Sequence, residues 1–303
     1  MKKRAVVTLC IGKRYEAIAR VTHATLRAYA RRCSADFLVL SRRQGEQVFF
    51  EKLRIRSLLD DYERVLYLDT DIIVRADAPD LFARVGEDEL AMYPEGDFAP
   101  ERRDGMIAYL TRLDVPYLLW NGKYYNTGVI LASAQHRDIF IMPEDELVER
   151  FTGPFMEQDY VNLMILLRQP KMAELDYRFN RMFFIETSAR EHRLDSYFVH
   201  YAGYQYFSSH SELVHCIRRD LKRWKGGAAP TKQVVVEIRG RLEDQVALRS
   251  VVAHLVSIEY AGLNVIIRSR FPKAFQDLGH WTRVRLVEDA SLIGDRAQLS
   301  LRP

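Results

Sequence analysis

Over the first seventy positions, short apolar runs alternate with longer amphipathic stretches. Residues 5–10 form a β-branched run, 15–32 carry apolar side chains at helical spacing, and 37–40 are apolar again, which reads as strand, helix, strand. Residues 50–59 predict a second helix, with Leu53, Ile55 and Leu58 apolar and basic residues between them. A further strand is expected over 65–68. Alternation of this kind predicts an α/β domain around a largely parallel sheet. Residues 90–93 and 127–131 are further strand candidates. Residues 154–167 read as a helix with Tyr160, Leu163, Met164 and Leu167 on one stripe, the pattern of a core-facing helix.

The pattern breaks near residue 218. Arg218, Arg219, Lys222, Arg223 and Lys225 surround Trp224, and a Gly-Gly-Ala-Ala-Pro run ends at Pro230. Beyond it, strands are expected over 233–238, 263–267 and 284–287, with a helix over 244–258 and a short one over 271–277. The expected organisation is therefore a domain over 1–217, a basic linker over 218–232 and a partial Rossmann-like β-α-β segment over 233–303. That last segment is shorter than a complete nucleotide-binding domain, so it reads as truncated after 303 or completed by a partner.

Composition narrows the class. The chain has 303 residues, 48% of them hydrophobic and 28% charged, as a soluble globular protein does. A net charge of +4 is too small to indicate nucleic acid as a partner. The basic start at Lys2-Lys3-Arg4 is not followed by a signal-peptide core, because the apolar run stops at Ile11-Gly12-Lys13-Arg14. No window approaches the roughly 18 apolar residues of a membrane span. Cys10, Cys33 and Cys216 match no zinc or disulfide spacing, so a reducing cytoplasm is the expected location. The basic segment 218–225 reads as a charged linker, a solvated helix face, or a surface for anionic lipid headgroups with Trp224 at the interface.

The chemistry concentrates in Leu68-Asp69-Thr70-Asp71-Ile72, where two carboxylates interrupt an apolar run. Aspartate is unfavourable inside a strand and costly to bury unpaired, which places the pair where a strand ends. Residues i and i+2 of an extended segment point the same way, so both carboxylates could face one cation. Ligands of open α/β sheets bind beyond the carboxyl ends of the strands, and a divalent cation there suits a diphosphate. A helix cap or an ordinary turn is the alternative.

Further clusters stand beside this pair: Tyr124-Tyr125-Asn126-Thr127-Gly128 before an apolar run, Glu157-Gln158-Asp159-Tyr160-Val161-Asn162 opening a helix, Asp176-Tyr177-Arg178-Phe179-Asn180, and Val199-His200-Tyr201-Ala202-Gly203. In this order, over residues 4–225, the chain resembles the retaining, metal-dependent family 8 glycosyltransferases. The resemblance implies a GT-A fold. It implies manganese, with magnesium as the alternative, bound by Asp69, Asp71 and His200 and bridging the diphosphate of a UDP-sugar. An imidazole among the ligands suits manganese better than magnesium. It further places Gly203 near the phosphates, and Thr8 and Tyr15 at the base and ribose, where Tyr15 can stack. Lys52 falls on the donor side, its alternative being a solvated helix lysine. Asn126 and Glu157 are implied to bind donor-sugar hydroxyls, with Gln158 and Asp159 nearest the anomeric carbon. Asp159 could act as a nucleophile, whereas the Gln158 carbonyl could only stabilise positive charge, and same-face substitution is favoured.

Where the family carries a Lys-Pro-Trp segment, this chain continues Tyr204-Gln205-Tyr206-Phe207-Ser208 and lacks the lysine. The stretch 235–244 resembles more weakly the opening of family 9, heptosyltransferase-like proteins. The expected function is transfer of galactose or glucose from a UDP-sugar to a glycan or glycolipid in bacterial lipopolysaccharide or surface polysaccharide synthesis, at the cytoplasmic face of the membrane. The alternatives are a non-catalytic nucleotide-sugar-binding or scaffold module and a metal-dependent nucleotidyltransferase.

Overall fold

The computed structural model describes residues 3–45, 47–116, 118, 120–151, 155–182, 193–202, 207, 209–225, 233–239, 243, 245–246, 252, 264–269, 271–275, 284–288 and 298–302. The chain divides into two compact units, Met1–Asn180 and Arg181–Pro303.

The first unit opens with β1 (Arg4–Leu9), α1 (Lys13–Arg32) and β2 (Asp36–Leu40). It continues through α2 (Ile55–Asp61), β3 (Arg64–Leu68), β4 (Ile72–Val74), α3 (Leu81–Arg84), β5 (Leu90–Tyr93) and α4 (Pro100–Arg112). The last elements are β6 (Asn126–Ser133), α5 (Asp145–Val148), α6 (Met156–Arg168) and β7 (Met172–Glu174). Six strands form one sheet in the order β2-β1-β3-β6-β5-β7. Only β6 runs against the others. The expected α/β class with a mostly parallel central sheet is therefore present. All eight residues of β6 and all five of β3 are buried, as central strands covered on both faces must be.

Three local expectations change. The helix expected over 50–59 is a 3-10 segment, Val48–Arg54, that runs directly into α2. Strand β3 ends at Leu68, so the carboxylate pair stands at a strand end as expected, but the segment that follows is not extended: the Ile72 N–H donates to the Asp69 carbonyl (3.2 Å) and closes a turn before β4. The two carboxylates thus flank a tight turn instead of sharing one face of an extended strand. Helix α4 was not anticipated, although Pro100 at its first turn is a helix-start signal.

The second unit contains β8 (Arg181–Met182), β9 (Phe198–His200), α7 (His210–Lys225), β10 (Gln233–Arg239), β11 (Asn264–Ser269), β12 (Val284–Glu288) and β13 (Gln298–Arg302). Strands β10, β11 and β12 pair in parallel, as a Rossmann-like segment requires, and β13 adds antiparallel to the free edge of β10. The basic residues 218–225 lie within α7. The Trp224 indole N–H donates to the Leu194 carbonyl (2.9 Å). The helix expected over 244–258 lies almost entirely outside the described residues, as do Gly203 and Tyr206. No helix among the described residues is long and apolar enough to cross a membrane.

Candidate active site

Strand direction decides what meets at the carboxyl edge of the first sheet. Because β6 is antiparallel to β3, its first residues lie beside the last residues of β3. The Asp69 N–H donates to the Gly128 carbonyl at 2.8 Å, which pins the Asp69–Asp71 turn to the start of β6. Tyr93, at the end of β5, pairs with Asn126 from the other side. The first turn of α6 adds Glu157, Gln158 and Asp159, all buried. Two acidic residues there are favoured by the unsatisfied N–H groups of a helix start.

Lys52 is the cation at the centre of this edge and is only 5% exposed. Its ammonium donates to Glu157 Oε1 (2.9 Å) and to the carbonyl (3.2 Å) and Oγ1 (3.1 Å) of Thr127, and lies 3.4 Å from Asp69 Oδ1. Burial alone lowers the affinity of the amine for its proton, but the charges of Asp69 and Glu157 outweigh it and hold Lys52 above its ordinary value. A solvated helix lysine is excluded. The Tyr67 hydroxyl donates to Asp69 Oδ1 (2.8 Å), restraining that carboxylate from below.

Beside this cluster lies a network of neutral amides around a carboxylate. Gln158 Oε1 accepts from Asn126 Nδ2 and from the Thr127 N–H, each at 3.1 Å. Gln158 Nε2 donates to Glu95 Oε2 (2.9 Å) and the Tyr124 hydroxyl (3.2 Å). Asn126 also donates to Glu95 Oε2 (2.9 Å), while its Oδ1 accepts from the Gly128 N–H (2.8 Å) and Asn180 Nδ2 (2.9 Å). Both amides are thereby held in one orientation, and every hydrogen-bonding capacity of the Asn126 amide is met within the protein. Asp159 accepts from the Tyr124 hydroxyl. Burial is the main cause that raises the Asp159 carboxyl to about 6, against the lowering effect of that bond and with a smaller push from Glu157.

Glu95 is a residue of this network that sequence reading missed. It is 2% exposed, receives both amides and pairs with Arg102 Nε at 3.1 Å. A carboxylate two residues beyond an apolar strand, after Pro94, was the available signal.

The residues expected at the nucleoside are less alike than their motif implied. Tyr15 lies in the first turn of α1 and is half-buried. Its phenol is raised by burial first, with Arg14 opposing and Asp71 and Asp69 adding to the rise, which places it in the field of the carboxylate turn. Thr8 has no accessible surface, and among the described residues its Oγ1 has no hydrogen-bond partner.

In the second unit, His200 ends β9 and is 2% exposed. The next residue fixes it to α7: the Tyr201 hydroxyl donates to Asp220 Oδ2 (2.8 Å), which also accepts from Arg193 Nη2 (2.8 Å). Asp220 and Arg193 are both fully buried.

A family model, Glycosyl transferase family 8, matches residues 11–205. No curated protein matches the chain. Among solved structures, the chain is similar to the galactosyltransferase LgtC in complex with donor and acceptor sugar analogs, at 18% identity and a TM-score of 0.49, covering 75% of this chain and 97% of that one. It is similar to a glycosyltransferase involved in glycosylation of the major capsid of PBCV-1, at 14% identity and a TM-score of 0.47, covering 72% and 99%. Similarity also extends to the glycosyltransferase GlyE of Streptococcus pneumoniae TIGR4, at 15% identity and a TM-score of 0.43, covering 96% and 81%.

Proposed function

The chain belongs to glycosyl transferase family 8, and on that premise we propose that its GT-A-type first sheet binds a UDP-hexose and transfers galactose or glucose, with retention, to a glycan or glycolipid hydroxyl. The observation that carries this reading is the Asp69–Asp71 turn at the carboxyl end of β3, set against the buried Lys52 ammonium. A divalent cation and a diphosphate are what such an edge accommodates. Asp69, Asp71 and His200 are the residues proposed to hold the cation. Two carboxylates and an imidazole fit manganese, which tolerates nitrogen, better than magnesium. When bound, the metal would stabilise charge on the departing diphosphate.

The chain's own groups divide the remaining work. Lys52 supplies a fixed positive charge on the donor side, which compensates for Tyr206 standing where the family carries a lysine. Glu157 and Asn126 are proposed to face the donor sugar. The Asn126 amide is fully engaged, so a sugar hydroxyl would have to replace one of its present partners. The Gln158 carbonyl accepts from Asn126 Nδ2, the Thr127 N–H and the Thr127 hydroxyl, so it too would exchange one of these donors before its dipole could favour positive charge at the anomeric carbon. Asp159 is buried and its carboxylate accepts from the Tyr124 hydroxyl, so attack by it on the anomeric carbon would first have to break that bond. Same-face substitution is therefore the favoured course, with the leaving phosphate oxygen accepting the acceptor's hydroxyl proton. A lipopolysaccharide or surface polysaccharide acceptor would bring the enzyme to a membrane surface. With Trp224 engaged by Leu194, the exposed Arg218 and Lys222 of α7 are the groups proposed to meet it.

Calorimetry with UDP and manganese, paired with a donor-hydrolysis assay, tests the reading. The wild-type protein should bind UDP in a manganese-dependent manner and hydrolyse one UDP-hexose slowly. Asp71→Asn should lose the manganese dependence while remaining folded. Unchanged manganese-dependent binding in that variant would sink the metal assignment. Tight binding without hydrolysis or transfer of any donor would instead identify a non-catalytic nucleotide-sugar module.

A further inference from the structure

The middle residue of the carboxylate turn is held from outside the site. Thr70 is 4% exposed, and its carbonyl accepts from Thr22 Oγ1 at 2.6 Å. Its own hydroxyl shares a hydrogen bond of 2.9 Å with His23 Nε2. One turn further along α1, Thr25 Oγ1 accepts from the Val74 N–H (3.1 Å) and donates to the Thr22 carbonyl (2.8 Å). These bonds join residues about fifty positions apart and converge on one turn and the short strand that leaves it.

Two carboxylates one residue apart repel each other, and a tight turn between them relaxes by opening. Bonds to the residue between them resist that opening without consuming carboxylate oxygens. Supporting bonds of this kind keep a metal site close to its bound geometry before the metal arrives. We infer that Thr22, His23 and Thr70 form a clamp that preorganises Asp69 and Asp71 for the cation, and that Thr70 and His23 are positioning residues of the transfer reaction. The inference rests on the metal reading of Asp69 and Asp71.

The test titrates manganese into full-length protein saturated with UDP, following free Mn2+ by electron paramagnetic resonance. Thr70→Val keeps the shape and removes the hydroxyl; it should weaken manganese binding about tenfold, the lower end of what lost supporting bonds cost metal sites. UDP affinity in EDTA should not change, which a general loss of structure would not allow. Thr70→Ser restores the hydroxyl and should recover most of the lost affinity. If Thr70 acts through His23, the double variant His23→Phe/Thr70→Val should lose no more than either single variant. Should Thr70→Val fold poorly, His23→Phe, at a half-buried position, supplies the same measurement. Wild-type manganese affinity in these variants, alongside its loss in Asp71→Asn, would overturn the clamp alone. Absence of manganese binding by the wild-type protein, or its persistence in Asp71→Asn, would overturn the metal reading itself.

Discussion

Asp159 shows how burial, rather than residue type, sets what a side chain in this edge can do. Its carboxyl is raised to about 6 in the folded chain, mainly by burial. In the unfolded chain an aspartate titrates near ~3.9. Between those values the folded protein keeps a proton that the unfolded chain releases. Stability therefore falls as pH rises from about 4 to about 6 and is level above, by roughly 2–3 kcal/mol in total from this group. Asp159→Asn removes that slope, so its unfolding free energy in urea should gain on the wild type across this window and hold the gain at pH 7. Parallel pH profiles for the two proteins would show that Asp159 titrates normally. The same logic separates Lys52 from its motif. An isolated lysine among Glu51, Leu53 and Arg54 reads equally well as solvated, and only its partners 17 and 105 positions away identify it as a buried cation.

At the scale of elements, the long periodic segments were legible and the short connecting ones were not. Helix α1, strand β3 and helix α6 fall within two residues of their expected bounds: α1 buries one continuous stripe, and β3 and α6 are buried almost throughout. Strand β4, three residues long, and the 3-10 segment before α2 have too little periodicity to be read locally. Helix α7 is a clearer case of tertiary decision. Its sequence offers a run of basic residues, yet its place is set by Asp220, wholly buried against Arg193 and Tyr201. Removing one partner of a buried pair leaves the other charge uncompensated, at a cost of about 3–5 kcal/mol. Asp220→Ala should lower the stability of the second unit by that order, seen as faster amide exchange in α7 and β9. Exchange in β1 and β3 should be unaffected. Unaltered protection of α7 would mean that the pair contributes little to holding the helix.

For the whole molecule, a net charge of +4 is less informative than where the charge is exposed. Arg219 and Arg223 of α7 lie 3.9 Å from Asp220 and are partly buried. Arg218 and Lys222, one turn apart, are exposed. Each basic residue at an anionic membrane surface contributes about 1 kcal/mol, so reversing both to glutamate should lower partitioning to phosphatidylserine vesicles by at least roughly thirtyfold. Sedimentation with vesicles at low salt measures this. Equal sedimentation of variant and parent would remove this face of α7 as a membrane contact.

Sequence alone determined the alternation of strand and helix, the α/β class, and the Asp69–Asp71 pair with the amide-rich start of α6. All of these are local: periodicity reports which face of an element is buried, and a charged pair within an apolar run marks its end. Tertiary structure alone decided that the pair flanks a turn, that Lys52 is buried between Asp69 and Glu157, that Glu95 receives both amides, and that Thr22 and His23 hold Thr70. Apart from the turn, which the Ile72 N–H closes on the Asp69 carbonyl, each of these joins residues far apart in the chain. What brings them together is the direction of β6 against β3 and the packing of α1 beside β4, and no local pattern encodes which distant partner a polar side chain will meet.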